Sequence, residues 1–97
     1  MPTMEILRVN HLADGRKKLS SSQSKIIIVN SPSSVRSYGV FAVINILEKL
    51  KKEFSIVENF MIDCDNDLAC LVTLEKLKLS HKIIVTDKIS RNNLQDV

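Results

Sequence analysis

The chain has 97 residues, 44% of them apolar and 26% charged, with a formal net charge of +3. That is room for one modest core and one domain. It leaves out a multidomain enzyme, and no apolar run approaches the roughly 20 residues of a membrane helix.

The charge is unevenly placed. Residues 1–25 carry Arg8, Arg16, Lys17, Lys18 and Lys25 against Glu5 and Asp14, while residues 26–97 hold nine basic and nine acidic side chains. Residues 1–24 therefore read as a basic, partly flexible arm, and residues 25–97 as a single α/β domain. Within the arm, Met4, Ile6, Val9 and Leu12 suggest a short strand or helical turn docked on the body. Asp14-Gly15 is a turn signal, and Ser20-Ser21-Ser22-Gln23-Ser24 a polar linker. The N-terminus has no apolar secretory core.

Ile26-Ile27-Ile28-Val29 is a continuous β-branched run stopped by Asn30-Ser31-Pro32. It predicts a strand buried on both faces in a parallel sheet, with a loop from Asn30 to Tyr38. Val40, Val43, Ile44, Leu47 and Leu50 recur at helical spacing, with Glu48, Lys49, Lys51 and Lys52 opposite, and predict a four-turn amphipathic helix. Its last-turn lysines suit the negative end of the helix dipole, and Phe54 covers its exit. Val57 to Ile62 is the second strand. Leu68, Leu71, Val72, Leu74 and Leu77 form the second helix, capped by Asp65 or Asp67. Ile83-Ile84-Val85 is the third strand, expected next to Ile26–Val29, and residues 88–97 are a polar end.

The order is βαβαβ, a small three-layer-type unit with a short, mostly parallel sheet and helices packed on it. Such sheets put their working face at the carboxyl ends of the strands. Three loops meet there: Asn30–Tyr38, Asp63–Asp67 and Asp87–Arg91. Cys64 and Cys70, separated by five residues, fit neither C-x-x-C nor the usual zinc spacings, and read as reduced thiols of a cytoplasmic protein. His81 reads as a surface or helix-terminal residue. The loop Ser31–Ser37 has no phosphate-cradling glycine pattern. Ser33 and Ser34 have no identifiable base, and no aromatic platform for single-stranded nucleic acid is visible.

Residues Ile26 to Asp87 resemble the hydrogenase maturation proteases, nickel-dependent endopeptidases that trim a hydrogenase large subunit. Val29-Asn30 ends the first strand where that family has Gly-Asn, and Gly39-Val40 starts the helix. Glu58-Asn59 then precede Phe60-Met61-Ile62-Asp63, and Ile83-Ile84-Val85-Thr86-Asp87 matches a later strand. The resemblance implies a peptidase-like α/β domain with Asp63 as the one retained metal ligand; from the residues themselves, Asp65 and Asp67 could supplement it and Cys64 could add a soft ligand. Ser37-Tyr38 stand where the family has its acidic pair, so a divergent domain without independent catalysis is expected. If active, it would be a metal-dependent endopeptidase using nickel or another divalent metal. The Asp63-x-Asp65 pair also resembles the magnesium-holding aspartates of Toprim domains, with Asn30 in place of their glutamate.

Two functions follow from these readings. One is the shortened maturation-protease-like domain, and the other is a non-catalytic α/β interaction module or subunit of a larger assembly. The open edges of a three-stranded sheet call for a protein partner or a homo-oligomer. Nucleic acid is expected only through the basic arm, and no membrane partner is expected.

Overall fold

The computed structural model describes residues 5–84 together with 94–95. In chain order the elements are β1 (Glu5–Val9), α1 (Leu12–Ser20), β2 (Ile26–Asn30), α2 (Ser34–Tyr38), α3 (Val40–Glu53), β3 (Val57–Asp63), α4 (Leu68–Lys76), a 3-10 turn (Ser80–Lys82), β4 (Ile83–Ile84) and β5 (Leu94–Gln95). They form one five-stranded sheet in the order β4-β3-β2-β1-β5, and every pairing is parallel. This is the α/β architecture that the alternation of apolar runs and helical periods predicts.

Two expectations about the sheet are corrected. Ile26–Val29 and Ile83–Ile84 are not neighbours, because β3 lies between them and pairs with both. Each crossover from β1 through β4 advances one place in the same direction, the simplest route for consecutive right-handed connections. Continuous apolarity reports burial on both faces and carries no information about which strand is adjacent.

The second correction concerns the N-terminal arm. Residues 5–9 form an interior strand with β2 on one side and β5 on the other. Residues 12–20 form a helix with Leu19 in the core, so folded structure begins well before Lys25. Glu5-Ile6-Leu7-Arg8-Val9 alternates, with Leu7 and Val9 buried. His11 caps α1, its Nδ1 accepting from the Asp14 amide at 3.2 Å. Gly15 lets α1 close on the core: a Cβ there would come within 2.4 Å of Leu50 Cδ1 and 2.9 Å of Val9 Cγ1. Arg16 then bridges α1 to the end of α3, with Nε and Nη2 on the two Glu53 carboxylate oxygens at 2.9 and 2.8 Å.

The core joins Leu7, Val9, Leu19, Ile26, Ile28, Leu47, Leu50, Phe60, Ile62 and Leu74 into one cluster. α3 supplies Val43, Ile44, Leu47 and Leu50 on its buried stripe, as its periodicity predicts. The stretch Asn30–Tyr38 is not wholly loop, since α2 occupies 34–38 and ends at Gly39, whose φ of 87° is open to glycine. Asp87–Arg91 and most of the polar end lie outside the described residues.

Candidate functional site at the carboxyl ends of the strands

β1, β2 and β3 end at Val9, Asn30 and Asp63, and their last residues build a buried polar network. Asp63 is fully buried, Asn30 and Ser34 nearly so. The Asn30 amide group works in two directions. Its Oδ1 accepts from the Asp63 backbone N–H at 2.7 Å, and its Nδ2 donates to the Asp63 carbonyl and to Ser34 Oγ, both at 2.9 Å. The Ser34 hydroxyl in turn donates to the Ser31 carbonyl at 2.7 Å. Asn30 thus continues the β2–β3 ladder through its side chain where the backbone pairing stops.

Arg8 approaches from β1. Its Nη1 donates to the Asn30 carbonyl at 2.8 Å and to Asp63 Oδ2 at 3.1 Å, and its side chain is only 11% exposed. Asp63 Oδ1 accepts the Asp65 amide at 2.9 Å. No buried side-chain polar atom among the described residues lacks a partner. Behind Arg8, Lys18 Nζ donates to the Arg8 carbonyl at 3.0 Å and pairs with Asp14 at 2.9 Å. Burial pushes the Asp14 carboxyl upward, but the Asn10 amide and the Lys18 ammonium outweigh it, and the net shift is downward.

The turn after β3 carries the residues that the sequence singles out. Asp65 and Asn66 both take left-handed backbone, φ 51° and 59°, a conformation that Asp and Asn tolerate better than most residues. The Asp67 amide closes the turn on the Cys64 carbonyl at 2.9 Å. Asp67 is the helix cap, its Oδ1 accepting from Cys70 N at 3.0 Å. Asp65 points elsewhere, toward Arg36 at 3.6 Å. Cys64 and Cys70 are joined by a disulfide, Cα atoms 5.6 Å apart, which corrects the expectation of reduced thiols. The left-handed turn folds the start of α4 back onto the end of β3, and that proximity was hidden by the sequence spacing. His81 sits exposed in the 3-10 turn, as expected.

These residues do not fit a divalent cation. Such an ion needs several converging oxygen or nitrogen ligands. Asp63 instead holds the Arg8 guanidinium, Asp65 faces Arg36, and the Cys64 sulfur is bonded to Cys70. Among the described residues no group of three or more His, Cys, Asp and Glu side chains is placed to hold a metal. Arg8 is the residue that the sequence reading missed; its charge inside the apolar run Ile6 to Val9 was the available signal.

Two surface features adjoin this network. A polar cleft of about 340 Å³ is lined by Arg8, Asn10, Asp14, Lys18, Ser31 and Ser33. Its charges are already matched, Arg8 with Asp63 and Lys18 with Asp14. A shallower groove of about 190 Å³ runs between Val35, Gly39 and Val40 on one side and Asp67, Ala69, Cys70 and Thr73 on the other. Beside those residues in the chain stand Tyr38, Phe41, Leu68 and Val72, which are 48%, 62%, 73% and 41% exposed.

Fold and site together define a small parallel α/β domain whose strand-end polar residues bind one another. Comparison with protein-family models, with curated proteins and with solved structures finds no match. No described helix is long and apolar enough to cross a membrane.

Proposed function

We propose that the chain is a non-catalytic α/β interaction module that works by pairing with a second copy of itself. The observation that carries the non-catalytic part is the Arg8 guanidinium on Asp63. The carboxylate that a metal-dependent peptidase would need is spent on holding β1, β2 and β3 together. A relation to the hydrogenase maturation proteases is retained only as a proposal of ancestry. It is supported by Asp63 at the end of an interior strand and by the helix that starts at Gly39-Val40.

Support for the pairing comes from the exposed apolar side chains beside the α2–α3 and α4 groove. Tyr38, Phe41, Leu68 and Val72 neighbour the lining residues in the chain, and exposed apolar side chains mark a contact surface where they join into one patch. Arg36 and Asp65 form an ion pair within the chain at 3.6 Å, so they set no uncompensated charge against a second copy. The disulfide fixes the start of α4 on one side of this groove, through Cys70. It also removes the cysteine-based reason for a cytoplasmic location, which forms no part of the proposal. Light scattering over a concentration series tests the reading. The mass should rise toward twice that of the chain, and a constant monomer mass at all concentrations contradicts it.

A further inference from the structure

We propose that a second, separate cleft, between the end of α3 and the 3-10 turn before β4, binds a small phosphate-bearing anion. The cleft has a volume of about 270 Å³ and is lined by Glu48, Lys51, Lys52 and Phe60. Lys82 borders it from the other side, its Nζ lying 4.4 Å from the centre of the Phe60 ring. Glu48, Lys51 and Lys52 share one stripe of α3, three and four residues apart. The site lies toward the amino ends of the strands, away from the Arg8–Asp63 network.

Positive charge gathers at this cleft. Arg8, Arg16, Lys18, Lys25 and Arg36 each have a carboxylate partner. Lys51, Lys52 and Lys82 have no ion pair among the described residues, and neither have Lys17, Lys49, Lys76 and Lys78; what sets the first three apart is that they meet at one cleft. Lys51 and Lys52 in the lining and Lys82 beside Phe60, set against the Glu48 carboxylate, leave an excess of two positive charges at the cleft and its border. The helix dipole accounts for Lys51 and Lys52 at the end of α3. It does not account for Lys82, which lies on another element, donates to the neutral Asn59 side chain and rests over the Phe60 ring. Burial and the nearby Lys51 ammonium both lower the Lys82 pKa, a shift that a bound anion would oppose.

The excess of two charges selects the ligand class. A phosphate group carries close to two negative charges at neutral pH, and lysine binds phosphate as a point charge on a flexible stem. The space is at the small end for ligand pockets, enough for phosphate or diphosphate with little else enclosed. Phe60 supplies an apolar floor, where water competes less for the ammonium groups.

The test is a titration of the full chain with sodium pyrophosphate at about 0.1 M salt, where remote surface charges are screened, followed by amide NMR shifts. Parallel arms use inorganic phosphate and a nucleoside diphosphate to separate a free from an attached phosphate. Saturable shifts centred on Lys51, Lys52, Phe60 and Lys82 are expected. Lys51→Gln with Lys82→Gln, both outside the core, should weaken binding by about tenfold or more, and Glu48→Gln should tighten it several-fold by removing a repulsion. Unsaturable shifts, or shifts spread equally to Lys17, Lys49 and Lys76, overturn the proposal. So does unchanged affinity in the folded double variant. Tighter binding of a single-stranded oligonucleotide with a steep salt dependence also overturns it, in favour of a nucleic-acid face.

Discussion

Arg8 and Asp63 are 55 residues apart in sequence, and in the fold Arg8 Nη1 lies 3.1 Å from the Asp63 carboxylate, beneath the ends of three strands. Breaking such a pair from one side leaves a buried charge without its partner, at about 3 to 5 kcal/mol. Arg8→Met should therefore lower the melting temperature steeply. Arg8→Met with Asp63→Asn should recover part of that loss, since no carboxylate is then stranded. Equal melting temperatures for the single variant and the wild type would show that the pair carries no structural weight.

Asn30 offers a neutral counterpart. Its side chain accepts the buried Asp63 amide at 2.7 Å, so Asn30→Ala leaves that donor unpaired, at about 1 to 3 kcal/mol. Urea unfolding monitored by circular dichroism should show a lower midpoint with an unchanged slope. A midpoint equal to that of the wild type contradicts the bridging role.

The place of α1 in the core is tested at Gly15. An added methyl meets Leu50 and Val9 inside ordinary contact distance, and overpacking of this kind costs about 1 to 3 kcal/mol. Gly15→Ala should destabilise the domain despite alanine's better helix propensity. A stabilised variant would place α1 away from α3.

How much of this was legible beforehand follows from the length scale of each signal. β2, α3, β3 and α4 announce themselves through apolar runs and helical periods within a dozen residues, and their observed bounds match the readings closely. β1 was half legible, since Ile6 and Val9 suggest a short docked strand or turn, while α1 was obscured because the Arg16-Lys17-Lys18 run makes its segment look like a solvated arm. Yet alternation in Ile6-Leu7-Arg8-Val9 puts Leu7 and Val9 inward. The cap of α4, read locally as Asp65 or Asp67, is Asp67. The Arg8–Asp63–Asn30 network and the Cys64–Cys70 bond depend on contacts set by strand order and by a left-handed turn, which no local window contains.

The disulfide closes a short loop, sequence separation 6, and should contribute about 2 kcal/mol by restricting the unfolded chain. Cys64→Ser with Cys70→Ser should melt lower than the oxidised protein and near the fully reduced one. Free-thiol labelling of the unfolded, unreduced wild type checks the bond directly. Two labelled thiols per chain would contradict it.

Asp14 gives a pH dependence with a definite sign. Its folded pKa lies below the ordinary value of 3.8, so its contribution is present above that value and is lost as pH falls through the folded pKa. Asp14→Asn should narrow the stability difference between pH 6 and pH 3 slightly, because the half-buried Asp14–Lys18 pair stays close enough to solvent to be screened. An unchanged difference on thermal melts contradicts the assignment.

Added nickel or zinc bears on the structural role of Asp63. With the carboxylate on Arg8, a slight excess of either ion should shift the melting temperature by no more than about 1 °C, since stabilisation scales with the logarithm of ligand over dissociation constant. Stoichiometric micromolar binding abolished by Asp63→Ala would revive the peptidase reading.

The central claim, self-association through the groove beside α3 and α4, is tested most directly by sedimentation velocity on the wild type and on Phe41→Ser with Leu68→Ser. Both side chains are well exposed, so the substitutions leave the core intact. The account predicts a concentration-dependent dimer for the wild type and a folded monomer for the variant. A wild type that stays monomeric, or a variant that dimerises as readily, would contradict it.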